Sequence, residues 1–359
     1  AISSLIDGIG GECNAFTGKE TTGYYIKSSN SHVELSLDIL SDMLQHSLLD
    51  EREIDKERGV ILEEINLYED TPVRRIGDVY ERLLYGDTPL GWDTAGEKDI
   101  IRNIKRNDFT SYMSSLYSPS NIAVIVAGGI ESSTVVKLVE KYFGKMASFG
   151  TKKFENIIES QERPRAFVKH KNTEQAHLAL GVPTVPLNHR DRYPLTILSS
   201  ILGGGMSSRL FHEIREKRGL SYYVRSSSDH YADCGNFTTT AGVDPKRLQE
   251  AVKVIIEEYQ KVRSSSLGVQ NSEFKKAKEY IKGHFVLELE DSREVASYYA
   301  HQELLEKSID NPEDSLLKID RVTISDVEEV AKTYLIDKHL NLAVIGNHTD
   351  KETFEKLLM

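Results

Sequence analysis

The sequence predicts an α+β protein built from two homologous domains of mixed α/β structure, each a sheet with helices packed on one face. Two observations support this: the length of the chain and an internal repeat. A chain of 359 residues has the length that is typical of about two domains. Hydrophobic residues make up 39% and charged residues 28%, which is the balance of an ordinary soluble globular protein.

The internal repeat is the stronger observation. Residues 107–143 read NDFTSYMSSLYSPSNIAVIVAGGIESSTVVKLVEKYF, and residues 325–358 read SDVEEVAKTYLIDKHLNLAVIGNHTDKETFEKLL. Both segments predict an amphipathic helix ending near a Tyr, a short polar turn, a buried strand (NIAVIVAG or NLAVIG) and a second helix. Four elements in the same order indicate two copies of one domain.

The domain boundaries follow from this repeat. Residues 147–164 are polar and lack a clear period, so we predict a linker between an N-terminal domain (1–146) and a C-terminal domain (165–359). The C-terminal copy opens with RAFVKHKNTEQAHLALGVPTVPL, which predicts two strands. It continues with SYYVRSSSDHYADCGNFTTTAGV, whose alternating pattern predicts a hairpin. Mixed strands and helices of this kind favour helices layered on a sheet.

The two copies differ in length ahead of their shared strand. Arg165 precedes Asn341 by 176 residues, whereas Ala1 precedes Asn121 by 120. The N-terminal copy is therefore expected to lack about 56 residues, roughly a strand pair and a helix. The opening AISSLIDGIGG supports this expectation, because it has helical periodicity without a capping residue in front of it.

Composition excludes several classes of protein. The formal net charge is −11, which argues against a nucleic-acid partner, because phosphate binding requires a basic face. No apolar run is long enough for a membrane helix, so no membrane partner is expected. Cys13 and Cys234 are too few for a disulfide framework or a cysteine-rich metal site, and a reducing, cytoplasmic location is expected. A homodimer is left open.

The helix predicted at ERGVILEEINLYEDTP (57–72) raises a question about its carboxylates. On a helical wheel of residues 54–68, Glu57 and Glu64 fall in the middle of the apolar arc, whereas Glu63 falls on the polar side. An inward carboxylate is costly unless it is paired or bound to a metal. The wheel alone leaves two alternatives open, an internal salt bridge and a metal ligand.

A metal ligand needs partners, and the histidines do not supply them locally. A catalytic zinc commonly uses two His and one carboxylate. None of the eleven histidines forms HExxH or HxxEH, and the Glu residues near His212 and His301 are not followed by a second His at the required spacing. The chain cannot build such a site from a local motif.

Four segments together resemble the pitrilysin and mitochondrial-processing-peptidase family of zinc peptidases, with the single-chain bacterial processing proteases as the nearest branch. They are IDGIGGECNAFTGKETTGYY, the ERGVILEEINLYEDTP helix, YGDTPLGWDTAGEKDI and SSRLFHEIREKRGLSYYV, in family order. The resemblance implies an N-terminal domain of the catalytic type and two halves that enclose a chamber.

The resemblance also implies a zinc cofactor and roles for the carboxylates. The family binds zinc through an inverted H-x-x-E-H motif and a later Glu, which matches Glu64. Glu57 matches an accessory acidic residue that would hold a His ligand or raise its basicity. Two His ligands and the general-base Glu are expected upstream of Ala1. The chain as given is therefore expected to be inactive alone.

Further site residues follow from the resemblance. Arg215 and Tyr222 match an Arg and Tyr that contact the substrate backbone, where the Tyr can donate to a developing oxyanion; Tyr223 is the second choice. Asn14, Ala15 and Phe16 match an edge strand that accepts substrate peptide as an added strand. The alternatives are a surface Arg, a core Tyr and an ordinary edge strand. The glycine run in LGGGMSSRLF (202–211) lacks a phosphate-binding ending and is assigned a weak role near substrate.

Two functions are therefore weighed. The first is a zinc metalloendopeptidase that cleaves unfolded peptides or presequence-like segments by metal-activated attack of water. The alternative is a metal-free family member with a structural or substrate-presenting role. Inward carboxylates would favour the first, because a metal-free subunit has no physical need for them.

Overall fold

The computed structural model describes residues 2–158, 160–264 and 268–359. Ala1, Glu159 and residues 265–267, which fall within the predicted N-terminal domain, linker and C-terminal domain, lie outside the described residues. The helices are α1 (Ile2–Gly8), α2 (Val33–Gln45), α3 (Glu51–Glu69), α4 (Pro72–Tyr85), α5 (Lys98–Asn103), α6 (Arg106–Leu116), α7 (Ser132–Phe143), α8 (Arg192–Gly203), α9 (Leu248–Arg263), α10 (Asn271–Glu288), α11 (Ser292–Leu305), α12 (Pro312–Arg321), α13 (Ile324–Tyr334) and α14 (Lys351–Leu357). The strands are β1 (Glu12–Thr17), β2 (Thr22–Lys27), β3 (Arg165–His170), β4 (Ala176–Thr184), β5 (Ser221–His230), β6 (Gly235–Val243) and β7 (Asn341–Gly346).

These elements form two compact units, and each unit takes residues from both halves of the sequence. The first unit consists of residues up to Ile65, Thr94–Glu155 and Val286–Ile309. The second consists of Asn66–Asp93, Asn156–Phe285 and Asp310–Met359. The mixed α/β architecture is confirmed, whereas the boundaries 1–146, 147–164 and 165–359 and the enclosed chamber stay predictions.

The second unit is built on a five-stranded sheet in the order β3-β7-β4-β6-β5. β7 pairs in parallel with β3 and antiparallel with β4, and the other pairs are antiparallel. The β5–β6 pair is the predicted hairpin, and β3 and β4 are the two strands predicted at residues 165–187. β7 is the predicted strand NLAVIG, and it lies inside the sheet, with neighbours on both edges.

Side chains of this sheet alternate between two hydrophobic clusters. Leu178, Leu180 and Val182 of β4 pack with α8, α9 and α13 on one face, because successive residues of a strand point to opposite faces. The intervening Ala179 belongs to a second cluster on the other face. That cluster is formed with α4 and includes Ile76, Val79, Tyr80, Leu84, Tyr85, Ala343 and Ile345. Helix α4, from the N-terminal part of the sequence, thus covers the face that the other helices leave open.

The first unit contains the antiparallel pair β1–β2 and helices α2 and α7. The strand predicted at NIAVIVAG (121–128) is wrong for the described residues, because 122–127 form no strand ladder. Strand structure needs a paired neighbour to satisfy backbone N–H and C=O groups. The equivalent segment β7 has two such neighbours, which explains why similar sequences differ in structure.

None of the helices within the described ranges is long and apolar enough to cross a bilayer.

Candidate functional site

The carboxylates Glu57, Glu63 and Glu64 in the middle of α3 are exposed. α3 begins with Glu51 and Glu53 in its first turn, where acidic side chains complement the helix dipole. The predicted inward orientation of Glu57 and Glu64 is wrong in the described structure, because both residues are exposed. The arc that they share is only partly buried, because Val60 is 57% exposed whereas Ile65 is buried, although the composition of the arc suggested a core face. Periodicity identified the helix and the arc but not the face that is buried.

Arg58 holds α3 in place within the first unit. Its guanidinium donates to the carbonyl oxygens of Ile101 and, at 3.0 Å, Ile104, at the end of α5, and it also pairs with Asp55 at 3.1 Å. A cation suits the C-terminal end of a helix, where carbonyl groups are unsatisfied. Sequence reasoning missed Arg58 because its partners at the end of α5 are backbone atoms, which no residue pattern reveals.

The residues present do not fit a complete zinc site. Among the described residues, no group of three or more His, Cys, Asp or Glu side chains is arranged to hold a metal ion. His212 instead pairs with Glu216 at 2.6 Å, and His301 lies 3.9 Å from Glu306. Glu64 is the single ligand position that the sequence assigned within the chain, and one carboxylate cannot bind zinc by itself.

Arg215 and Tyr222 are brought together, as their predicted joint role requires. Arg215 lies on a π-helical turn, Phe211–Glu216, a geometry that is often found at functional sites. Its guanidinium lies 5.1 Å from the ring centroid of Tyr222 and 4.9 Å from that of Phe211. Both Arg215 and Tyr222 are exposed, Tyr222 by 75%. The pair therefore presents a cation and a phenol side by side.

The exposure of Tyr222 arises from a bulge in β5. Ser221 pairs with Val243 and Tyr223 with Gly242, so Tyr222 is an extra residue without a partner on β6. Bulges redirect side chains and are common near active sites. The register of the hairpin therefore separates Tyr222, which projects outward, from Tyr223, which is half-buried.

Tyr223 has a different environment from Tyr222. Its hydroxyl and Nδ1 of His177 share a hydrogen bond of 3.0 Å. Burial raises the pKa of Tyr223 to about 12 and lowers the pKa of His177 below its ordinary value. Both side chains are therefore uncharged near neutral pH, and Tyr223 is engaged by a neighbour. This favours Tyr222 as the residue that is accessible to a ligand.

The residues Asn14, Ala15 and Phe16 lie on β1, as predicted, and all three are exposed. Within the described part of the chain, β1 pairs with β2 alone, so its other edge is unpaired. The Oδ1 atom of Asn14 accepts a hydrogen bond from the amide of Ala15 at 2.8 Å, and the ring of Phe16 lies over Gly23 of β2. An exposed strand with one open edge can accept an added strand.

The glycines in the segment 202–211 have a packing role. A Cβ at Gly203 would lie 2.3 Å from the amide nitrogen of Ser226, and a Cβ at Gly205 would lie 3.2 Å from the ring of Tyr280. Glycines at these positions let the end of α8 approach β5 and α10 closely. Close packing explains the run without a phosphate ligand.

Comparisons with known proteins agree with this architecture. Residues 1–98 match the family model described as Insulinase (Peptidase family M16), and residues 103–281 match the model described as Peptidase M16 inactive domain. A zinc protease of Streptomyces coelicolor is 35% identical over 98% of this chain and 77% of its own length. The zinc protease YmxG of Bacillus subtilis is 36% identical over 85% of this chain and 73% of its own length.

Comparison with solved structures also finds a peptidase of similar fold. A protease from Helicobacter pylori has a TM-score of 0.88 and 26% identity, and the match covers 96% of this chain and 83% of that one. These matches define the class as two-domain peptidases related to zinc proteases. The chain itself belongs to peptidase family M16. The resemblance read from the four sequence segments is thereby confirmed.

Proposed function

We propose that the protein acts as a zinc metalloendopeptidase on unfolded peptides or presequence-like segments. Family membership and the zinc-protease names of the relatives support hydrolysis of peptide bonds. A relative from Lentinula edodes, 28% identical over 97% of this chain, is named mitochondrial-processing peptidase subunit beta, which supports a presequence-like substrate. The net charge of −11 suits a basic peptide.

The exposed pair Arg215 and Tyr222 is the observation that carries the proposal. A guanidinium donates up to five hydrogen bonds and a phenol donates one, and peptide carbonyl groups accept both. A folded substrate already uses its carbonyl groups in its own secondary structure, whereas an unfolded segment has them free. Recognition through the main chain accounts for a preference for unfolded peptides with loose sequence selectivity.

The open edge of β1 is proposed as a second contact for substrate. An extended peptide would add beside Asn14, Ala15 and Phe16 through main-chain hydrogen bonds. Exchange of the Asn14–Ala15 contact for a peptide carbonyl would free the amide of Ala15 to donate to the added strand.

For the zinc ion, we propose roles for two residues of this chain only. We assign Glu64 as one zinc ligand and Glu57 as an accessory carboxylate. The described residues do not complete the coordination, and no catalytic step through the metal is derived from them.

The exposed pair Arg215 and Tyr222 also supports a second candidate, a metal-free family member that presents peptides. Exposed carboxylates and the lack of a three-donor group among the described residues are what such a protein would show. Both candidates bind unfolded peptide, and they differ in zinc content and hydrolysis.

Zinc content and peptide hydrolysis test the proposal. The protein isolated from its source cells should cleave an unfolded basic peptide, lose activity on chelation and regain it with zinc. The 359-residue chain expressed by itself should bind the peptide without cleaving it. E64Q should abolish the zinc-restored activity, whereas the matched neighbour variant E63Q should retain it. Peptide binding without zinc or cleavage in the isolated protein would favour the second candidate, and absence of binding would refute both.

A further inference from the structure

We propose that Tyr223, acting with His177 and Gly242, is a positioning residue that holds the β5 bulge and so presents Tyr222 to peptide. The inference rests on the proposed function, because it assigns a task to the neighbour of a proposed substrate contact. It concerns residues of the second unit alone.

The three residues form one row across the sheet. Tyr223 of β5 pairs with Gly242 of β6, and Gly242 pairs with His177 of β4. Residues paired across strands point to the same face, and neighbouring strands lie about 4.8 Å apart. A phenol that starts on β5 therefore reaches His177 by crossing the middle strand, and the 3.0 Å hydrogen bond shows that it does so.

Gly242 provides the space for this crossing. A Cβ at Gly242 would lie 2.5 Å from Cε1 of Tyr223, a separation that carbon atoms do not reach without displacement. The ring thus occupies the position where any other residue would place its side chain. The two rings are tilted by 30° with their centroids 6.1 Å apart, so Tyr223 is fixed by its ring and by its hydroxyl.

Anchoring Tyr223 fixes the bulge beside it. The hydroxyl of Ser221 donates to the carbonyl oxygen of Tyr223, which closes the backbone around the extra residue. On the other side, Val224 is buried in the core formed with α8 and α9. With both following residues held on opposite faces, Tyr222 projects outward, where the guanidinium of Arg215 meets its ring.

The hydrogen-bonded pair Tyr223 and His177 is uncharged near neutral pH. Burial keeps His177 neutral and Tyr223 protonated, so one neutral hydrogen bond links them. A neutral hydrogen bond of this kind is modest in strength, but it selects the orientation of a ring that would otherwise rotate. Its loss should therefore change the direction of Tyr222 more than the stability of the fold.

Binding of an unfolded basic peptide to the 359-residue chain tests the inference, by fluorescence anisotropy with a labelled peptide. Y222A should weaken affinity about 10-fold, the equivalent of one lost anchor contact. Y223F should weaken it about 5-fold through loss of one hydrogen bond. G242A, which keeps the hydroxyl and displaces the ring, should have a similar effect. Y231F is the matched control, because it removes a hydrogen bond of 2.6 Å to Glu81 elsewhere in the same unit.

A double-mutant cycle separates positioning from general destabilisation. In the Y222A background, Y223F should change affinity by less than about 1.5-fold, because its effect acts through Tyr222. An equal loss in both backgrounds, or an equal loss in Y231F, would overturn the positioning role. If Y222A weakens binding and Y223F does not, this inference fails and the proposed function stands. If Y222A has no effect, or the unaltered chain binds no peptide, the proposed contact and this inference both fail.

Discussion

Replacing Ile76 with Ala tests whether α4 belongs to the core of the five-stranded sheet. Ile76 is 1% exposed and packs in the cluster that joins α4 to Ala179 of β4 and to Ala343 and Ile345 of β7. Although α4 lies in the N-terminal part of the sequence, its partners in the sheet lie beyond residue 164. The variant should therefore weaken structure that is more than a hundred residues away along the chain.

The expected loss follows from burial. Ile76→Ala removes three carbon atoms, and a buried methylene contributes about 0.8 kcal/mol, which amounts to about 2.4 kcal/mol of transfer free energy. The cavity left against the small residues of the sheet raises the expected loss of unfolding free energy to about 3–4 kcal/mol. Ile76→Val removes one carbon and should cost about 1 kcal/mol.

Urea unfolding measures the loss, and hydrogen exchange with mass spectrometry locates it. Amides of β4 and β7 should exchange faster in Ile76→Ala. Val73→Ala is the matched control on the same helix, because Val73 is exposed and its unfolding free energy should change by no more than about 0.5 kcal/mol. A loss below about 1 kcal/mol, or faster exchange confined to residues 1–146, would refute the packing argument.

Three further outcomes are expected. Arg215→Ala should weaken peptide binding about 10-fold in anisotropy titrations while leaving unfolding free energy within about 0.5 kcal/mol, and unchanged binding would contradict its proposed role. Hydrogen bonds from Lys217 and Arg218 lower the pKa of Glu213 from 4.5 to about 2. The ionised Glu213 side chain therefore stabilises the fold fully above about pH 4.5, and this stabilisation is lost as the pH falls towards 2. In urea titrations, the difference in unfolding free energy between the unaltered chain and Glu213→Gln should close over that range. A constant difference would refute the ion pairing. Arg58→Met should cost about 2 kcal/mol and speed amide exchange in α5, because two carbonyl groups lose a charged donor; unchanged exchange there would argue against the contact.

Much of the second unit could be predicted from local pattern. Alternation in residues 221–243 identified the β5–β6 hairpin, and the apolar run NLAVIG identified β7. Arg215 and Tyr222 were singled out by the family resemblance rather than by local pattern, and the structure brings them into contact. The β5–β6 hairpin and β7 depend on neighbours in sequence, which a single chain displays directly.

The remaining features depend on partners that are distant in sequence. The wheel placed Glu64 on an apolar arc, but whether an arc is buried depends on what covers it, and here Val60 on the same arc is exposed. The row that links Tyr223 to His177 requires the register of three strands, which the alternating pattern does not specify. The missing strand at 121–128 has the same cause, because an apolar run becomes a strand only when a neighbour pairs with it.

The central place of β7 has a consequence for biosynthesis. β3 and β4 are near neighbours along the chain, yet each pairs with β7 rather than with the other, and Asn341 follows Thr184 by 157 positions. At about 5–20 residues per second, a ribosome takes about 8–30 seconds to travel from β4 to β7. During that delay β3 and β4 lack the strand that pairs with both of them, so each keeps an unpaired edge that could pair with another chain. Synthesis of β7, rather than emergence of the early strands, therefore sets the earliest moment at which this sheet can close.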